Sequence, residues 1–311
     1  MALGSRRSVA AADRMNRRAV FLVGAFFVAA CEGTKAPASA RSASSAAAAA
    51  AGTAAAHAKP WDDELGALLA TQSLDGGPPI VFVRDTAATA DFDVELLNHD
   101  DRTSKAVLRA GSPIQACAWR RHASVSQSGG RAAPNGWALA LSPGIATPFG
   151  IDGVGDLSPR DSAMLVARIS RLVSAIPEDS LSAPFRGLPI VVRDAWRLQL
   201  ADSTPVSIAI ATRSLNVESN PRAEAITLIA EPDTSAGAGQ WRTAYSERSA
   251  GPEDRIEGMD LLAAFELQRT RPALALVREG DEGLQLEIVE RTAPGVWAVR
   301  WSSSALPCAK P

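Results

Sequence analysis

The sequence predicts a mainly β fold of α+β class: antiparallel meanders with two helices, closing as a sandwich, a barrel or a propeller-like repeat. Three observations carry this. Short apolar or alternating runs bounded by Gly, Pro, Asp or Asn fill most of the second half. Two of those stretches share one layout, and only two segments show helical spacing. With 311 residues, 46% apolar and 3 Cys, the chain is no disulfide-dense miniprotein, collagen-like repeat or wholly disordered tail. Its length allows one large domain or two small ones, at roughly 100–200 residues per domain.

The first element is a leader. Arg14, Arg17 and Arg18 precede an apolar run from Ala19 to Ala30. Twelve residues rise about 18 Å as a helix, short of a bilayer's roughly 30 Å hydrocarbon core, so residues 1–30 read as a secretory signal and not a membrane span. Met15 reads as the natural start, because Met15-Asn16-Arg17-Arg18 supplies a compact basic n-region. The paired arginines hint at twin-arginine export. The run ends in Val28-Ala29-Ala30-Cys31, which resembles the lipobox of bacterial lipoproteins. The resemblance covers this leader alone and implies an acylated Cys31 as the first mature residue. It also implies a cell-envelope location outside the cytoplasm, with the membrane as a partner through the lipid. Sorting in that family keys mainly on Asp at the second mature position, so Glu32 is compatible with the outer membrane.

Residues 31–60 follow as a lipidated Cys and a tether. From Gly33 the composition collapses to Ala, Ser, Gly, Thr and Pro, with six consecutive Ala from Ala46. Such a tract has nothing large to bury against its ordering entropy. Its 28 residues span roughly 30 Å as a flexible chain. His57 lies within it and reads as inert.

The folded part is expected over 61–311. Trp61, Leu65, Leu68 and Leu69 fall on one helical face after Pro60, predicting a first helix. Ile80–Val83 and Phe92–Leu97 read as strands. Ser158-Pro159-Arg160-Asp161 carries a cap signature, and Leu165, Ile169, Leu172, Val173 and Ile176 form the stripe of a second helix that Pro177 stops. Val206–Ile210, Ala225–Glu231, Ala273–Arg278 and Leu284–Glu290 read as strands. Two four-strand modules emerge, about 196–247 and 263–302. Leu198 and Leu200 precede Pro205 as Phe265 and Leu267 precede Pro272, and Gly-x-Trp opens a last strand at Trp241 and Trp297. Asn135-Gly136-Trp137 and Ser142 mark a third, more divergent end.

Charge narrows the partners. Residues 1–59 hold a formal +6 and the remainder −8, within a net −2. A folded part that acidic is a poor polyphosphate binder, which argues against nucleic acid. Candidate chemistry is sparse. His99, Asp100 and Asp101 form an acidic turn and a candidate binding rim, with the Ser214–Glu224 stretch as a second rim loop. His122 reads as a surface-loop histidine. Asp152 and Asp156, in a Gly-rich run, are weak metal candidates. Setting Asp152-Gly153 at positions five and six of a calcium loop puts Pro148, Gly150 and Pro159 where ligands belong. No phosphate-binding Gly-rich loop, dinucleotide fingerprint, Cys-x-x-Cys pair or nucleophile elbow occurs, so no cofactor is expected. Six of the Trp residues (Trp119, Trp137, Trp196, Trp241, Trp297 and Trp301) sit in or beside strands, as core-filling rings do. Once Cys31 carries lipid, Cys117 and Cys308 remain as a candidate disulfide in an oxidising compartment. The reading favours a binding or envelope-architecture module over an enzyme. The alternatives are a hydrolase built from separated loop carboxylates such as Asp100, Asp101, Asp152 and Asp156, or a calcium-stabilised module.

Overall fold

The structure, a computed structural model, describes residues 60–308 apart from 67, 72–77, 88–89, 99–101, 116, 134–135, 217–219, 236–238, 257, 269, 281–282 and 307. The leader, Cys31, the tether and the His99–Asp101 rim therefore lie outside the described residues. Seven strands come first: β1 (Leu68–Thr71), β2 (Ile80–Val83), β3 (Asp91–Asn98), β4 (Thr103–Ile114), β5 (Cys117–Gln127), β6 (Arg131–Ala132) and β7 (Trp137–Leu141). Next are β8 (Ala146–Pro148), β9 (Asp152–Gly153) and the helix α1 (Pro159–Ala175). The chain then continues through β10 (Val191–Gln199), β11 (Pro205–Leu215), β12 (Arg222–Pro232) and β13 (Trp241–Pro252). It ends with β14 (Gly258–Leu267), β15 (Arg271–Gly280), β16 (Gly283–Ala293) and β17 (Val296–Ser302). The protein is mainly β and its sheets are antiparallel.

The first seven strands make a barrel. Their order is β2-β1-β7-β3-β4-β5-β6, and a further β2–β5 pairing joins the ends, so six strands close on themselves with β6 outside the ring. Alternation sorts their side chains. Ala70, Val81, Val83, Leu96, Ala106, Leu108 and Ala140 fill one cluster, while Leu69, Phe82, Leu97, Leu139 and Leu141 belong to another. Small residues suit the narrow interior of a six-stranded ring.

The remaining strands form two five-stranded sheets of one design, ordered β13-β12-β11-β10-β9 and β17-β16-β15-β14-β8. Their registers agree in detail. Leu198 faces Val206 beside Pro205, and Phe265 faces Ala273 beside Pro272. Bulges fall between Ile229 and Ala230 in one sheet and between Ile288 and Val289 in the other. Trp241 pairs with Pro232, and Trp297 with Arg291, the residues that follow Glu231 and Glu290. One short segment supplies both outer edges, pairing β8 with β14 and β9 with β10.

The layers stack as α1, the β9–β13 sheet, the β8/β14–β17 sheet and the barrel. Leu165, Ile169 and Val173 of α1 lie on Ala209, Ala211, Ile226 and Leu228. Val206, Ile208 and Ile229 meet Leu274, Leu276 and Val289 between the two sheets. Ala273, Ala275, Val277, Leu286 and Ile288 face the barrel's outer leucines. The β8/β14–β17 sheet is therefore buried on both faces.

One α-helix is present among the described residues, not the two expected. Ser158 caps α1 as read, its Oγ accepting the Asp161 N–H at 3.2 Å. Asp63–Leu65 instead form a turn, and Leu68 and Leu69 belong to β1. Asp62 accepts the N–H groups of Glu64 and Leu65 at 2.9 and 3.2 Å, and Gly66 turns at φ +98°. A Cβ at Gly66 would lie 1.7 Å from Ser142 Oγ, so the Ser142 side chain takes the space that a side chain at 66 would need. Leu65 and Leu69 still bury, as the apolar spacing required.

Cys117, at the start of β5, is disulfide-bonded to Cys308 beyond β17, with Cα atoms 4.4 Å apart. The bond ties the end of the described chain to the barrel. No helix among the described residues is long and apolar enough to cross a membrane.

Candidate functional site

Two places concentrate unusual geometry. The larger is a groove of about 600 Å³ between the N-terminal half of α1 and the ends of β10, β11 and β13. Its existence follows from where α1 stops covering the sheet. The helix stripe lies on the small side chains Ala209 and Ala211, but toward Pro205 the sheet surface opens. Leu157 and Leu165 give it an apolar wall, and Met164 stands on the rim at 53% exposure. Arg197, Gln199, Pro205 and Ser207 line the sheet side, while Leu198 and Val206 turn into the inter-sheet core. Trp241 walls one side, and Arg168 of α1 stacks over its ring with 3.9 Å from guanidinium carbon to ring centroid. Burial, then the neighbouring charge of Arg171, draws the Arg168 guanidinium below its ordinary pKa. The other charges of the groove are engaged. Arg197 Nε donates to Asp152 at 3.0 Å, and Asp161 accepts from Ser158 Oγ at 2.8 Å.

The second place lies between the two five-stranded sheets, where their apolar interface gives way to polar side chains. The row Leu274, Leu276 on β15 continues into Arg278, and on β16 Glu287 shares the face of Val289. Tyr245 and Glu247 of β13 close over them. Glu247, Leu276, Arg278 and Glu287, together with Met259, Gln285, Ser302 and Ser304, border a cavity of about 100 Å³. Tyr245 donates to Glu247 at 3.0 Å, and Arg278 pairs closely with Glu247. Arg278 Nη2 stays 3.9 Å from Glu287, beyond hydrogen-bond reach. Burial first, and then the Glu247 charge with which it shares a hydrogen bond, pushes the Glu287 carboxyl up to about 7 against the pull of Arg278. Burial and the two glutamate charges also push the Tyr245 phenol above its usual value. Two carboxyls with one guanidinium can hold a shared proton.

Other buried acids are better supplied. Glu224, fully buried, lies 2.5 Å from Arg213 and 3.0 Å from Arg248. Glu231 takes a two-pronged contact from Arg291 at 2.8 Å, the Trp297 indole N–H at 2.6 Å and the Gly295 N–H at 2.8 Å. Glu290 is held by Arg271 and Arg300 at 3.1 and 2.8 Å.

Several expected site residues turn out to have other duties. Asp152 is paired with Arg197, and Asp156 accepts the Gly153 N–H at 3.2 Å. Among the described residues no group of three or more metal-ligating side chains occurs. His122 is not in a loop: it sits exposed on β5, opposite Ile80 of β2. Ser214–Glu224 is not a long rim loop either, since Ser214 and Leu215 belong to β11 and Arg222–Glu224 to β12. Glu224 is buried there because the two arginines meet its charge. Of the tryptophans, Trp137, Trp297 and Trp301 are buried, whereas Trp119, Trp196 and Trp241 are half-buried. Sequence reasoning missed Arg168, Glu247 and Glu287 as functional candidates. Glu287 left one trace: Leu284, Leu286 and Ile288 alternate on one face, which puts Glu287 on the other face with Val289.

No protein-family model matches this chain, and neither a curated protein nor a solved structure gives a match.

Proposed function

We propose that this chain is a lipid-anchored binding or envelope-architecture module of the bacterial cell envelope, acting outside the cytoplasm, with the groove beneath α1 as its ligand seat. The lipobox-like segment ending at Cys31 supports the anchor, and the Cys117–Cys308 bridge suits an oxidising compartment. The groove carries the choice of binding. At about 600 Å³ it falls in the size range of small-molecule sites, and it sets the apolar Leu157, Met164, Leu165 and Trp241 beside the charged Arg168. Calcium stabilisation gains no support, since Arg197 neutralises Asp152 and Asp156 serves its own backbone.

A hydrolase is the second reading, favoured by the Glu247–Glu287 pair. Its cavity of about 100 Å³ has room for only a few waters, at roughly 30 Å³ each, and Arg278 already stands against the acids. The pair thus fits a buried polar joint better than a substrate site.

Two measurements test the reading. Wild type should sediment with membranes and Cys31→Ser should be released; both remaining soluble would remove the anchor. Esterase, peptidase and glycosidase substrates should pass unchanged. Turnover abolished by both Glu247→Gln and Glu287→Gln would replace binding with hydrolysis.

A further inference from the structure

We propose that the groove takes a single-chain anionic amphipath, its carboxylate head on Arg168 and its apolar chain along Leu157, Met164 and Trp241. The inference rests on the reading of the groove as a ligand seat and adds the chemistry of its occupant.

The charges around the groove single out Arg168. Arg197 and Asp152 satisfy each other at 3.0 Å. Asp161 accepts from Ser158 and sits in the first turn of α1, where the helix dipole supports a negative charge. Arg168 has the Trp241 ring beneath it, and among the described residues it forms no ion pair. Arg171, three residues on, adds a like charge. A half-buried cation with a cationic neighbour and no carboxylate is a site of uncompensated positive potential.

The Arg168 guanidinium carbon sits 3.9 Å from the Trp241 ring centroid, and a guanidinium carries a planar fork of N–H donors matched to a carboxylate. The stack holds the fork in place, so less conformational freedom is lost on binding. A carboxylate there would be flanked by Leu157, Leu165 and Met164, the last with an unbranched chain that adapts to an alkyl partner. An uncharged apolar ligand would leave Arg168 desolvated without a partner, and a cation would add a third positive charge. Both are disfavoured by the same electrostatics.

The test is calorimetric titration of the full chain carrying Cys31→Ser, with three probes below any micellar concentration: dodecanoate, dodecyltrimethylammonium and acetate. Dodecanoate should bind measurably, and the other two should not at matching concentration. Arg168→Ala should weaken dodecanoate about tenfold or more, in keeping with the loss of a charge-assisted hydrogen bond. Arg168→Lys should fall between, because it keeps the charge and loses the fork. Circular dichroism of each variant separates lost binding from lost fold; if Arg168→Ala unfolds, Arg168→Lys carries the comparison. Equal binding of the cationic probe, or full affinity in a folded Arg168 variant, overturns the anionic assignment and leaves the groove reading standing. If none of the probes binds, both fall.

Discussion

The two five-stranded sheets share strand order, register, a Pro at the same pairing position and a bulge before the buried Glu, yet they do different things. Trp297 is buried and spends its indole N–H on Glu231 of the other sheet. Its counterpart Trp241 is half-buried, faces the groove and carries Arg168 on its ring. Glu231 is served from across the sheet interface by Arg291, whereas Glu290 is served by Arg271 and Arg300 from within its own sheet. The difference lies in what covers each sheet. One is sandwiched between its twin and the barrel; the other has a single helix, which runs out before the sheet does. Matching sequence positions yield a packing residue under full cover and a half-buried groove wall at its edge.

The largest effect is expected where a buried acid has one guanidinium. Arg291→Met leaves Glu231, 2% exposed, with neutral donors only, and should cost about 3–5 kcal/mol in denaturant unfolding. Arg271→Met leaves Arg300 on Glu290 and should cost about 1–2 kcal/mol. Equal losses would show that the two acids are not held differently.

The joint between the sheets should be pH-sensitive. The Glu287 carboxyl is raised from 4.5 to about 7 in the folded protein, so the folded state holds its proton more tightly than the unfolded chain. That stabilisation is complete below pH 4.5 and is lost as pH rises through 7; the change is at most about 3 kcal/mol. Thermal unfolding between pH 5 and 8 should fall steadily for wild type and flatten for Glu287→Gln. An unchanged slope in the variant would place the titration elsewhere. At the acid end the sign reverses. Hydrogen bonds from Arg300 and Arg271 hold Glu64 below its ordinary value, and its contribution fades as pH falls below 4.5.

The smallest contrast is between the paired tryptophans. Trp297→Phe removes a 2.6 Å donor from Glu231 and should cost about 1–3 kcal/mol. Trp241→Phe keeps an aromatic face for Arg168 and should cost about 0.5 kcal/mol. A Trp241 loss as large as that of Trp297 would make it a packing residue and weaken its place in the groove.

Much of the scaffold was legible along the chain. The Ser158 cap, the Leu165–Ile169–Val173 stripe and the stop at Pro177 define α1 through contacts within a few residues. The strands of both later modules, and the likeness of Leu198-Pro205 to Phe265-Pro272, follow from alternation, which is also local. Trp61–Leu69 carried the helical period, yet Asp63–Leu65 form a turn and Leu68 and Leu69 join β1, with the Ser142 side chain, from far along the chain, in the space beside Gly66. Barrel closure through β2 and β5, burial of Glu224 between Arg213 and Arg248, the meeting of Glu247 with Glu287, and the stack of Arg168 on Trp241 were decided by the tertiary structure alone. Each joins residues distant in sequence, and no local period or motif records which charges will share a low-dielectric space. Local geometry sets where a side chain points; only packing sets what it meets there, and that meeting fixes its charge, its cover and its chemistry.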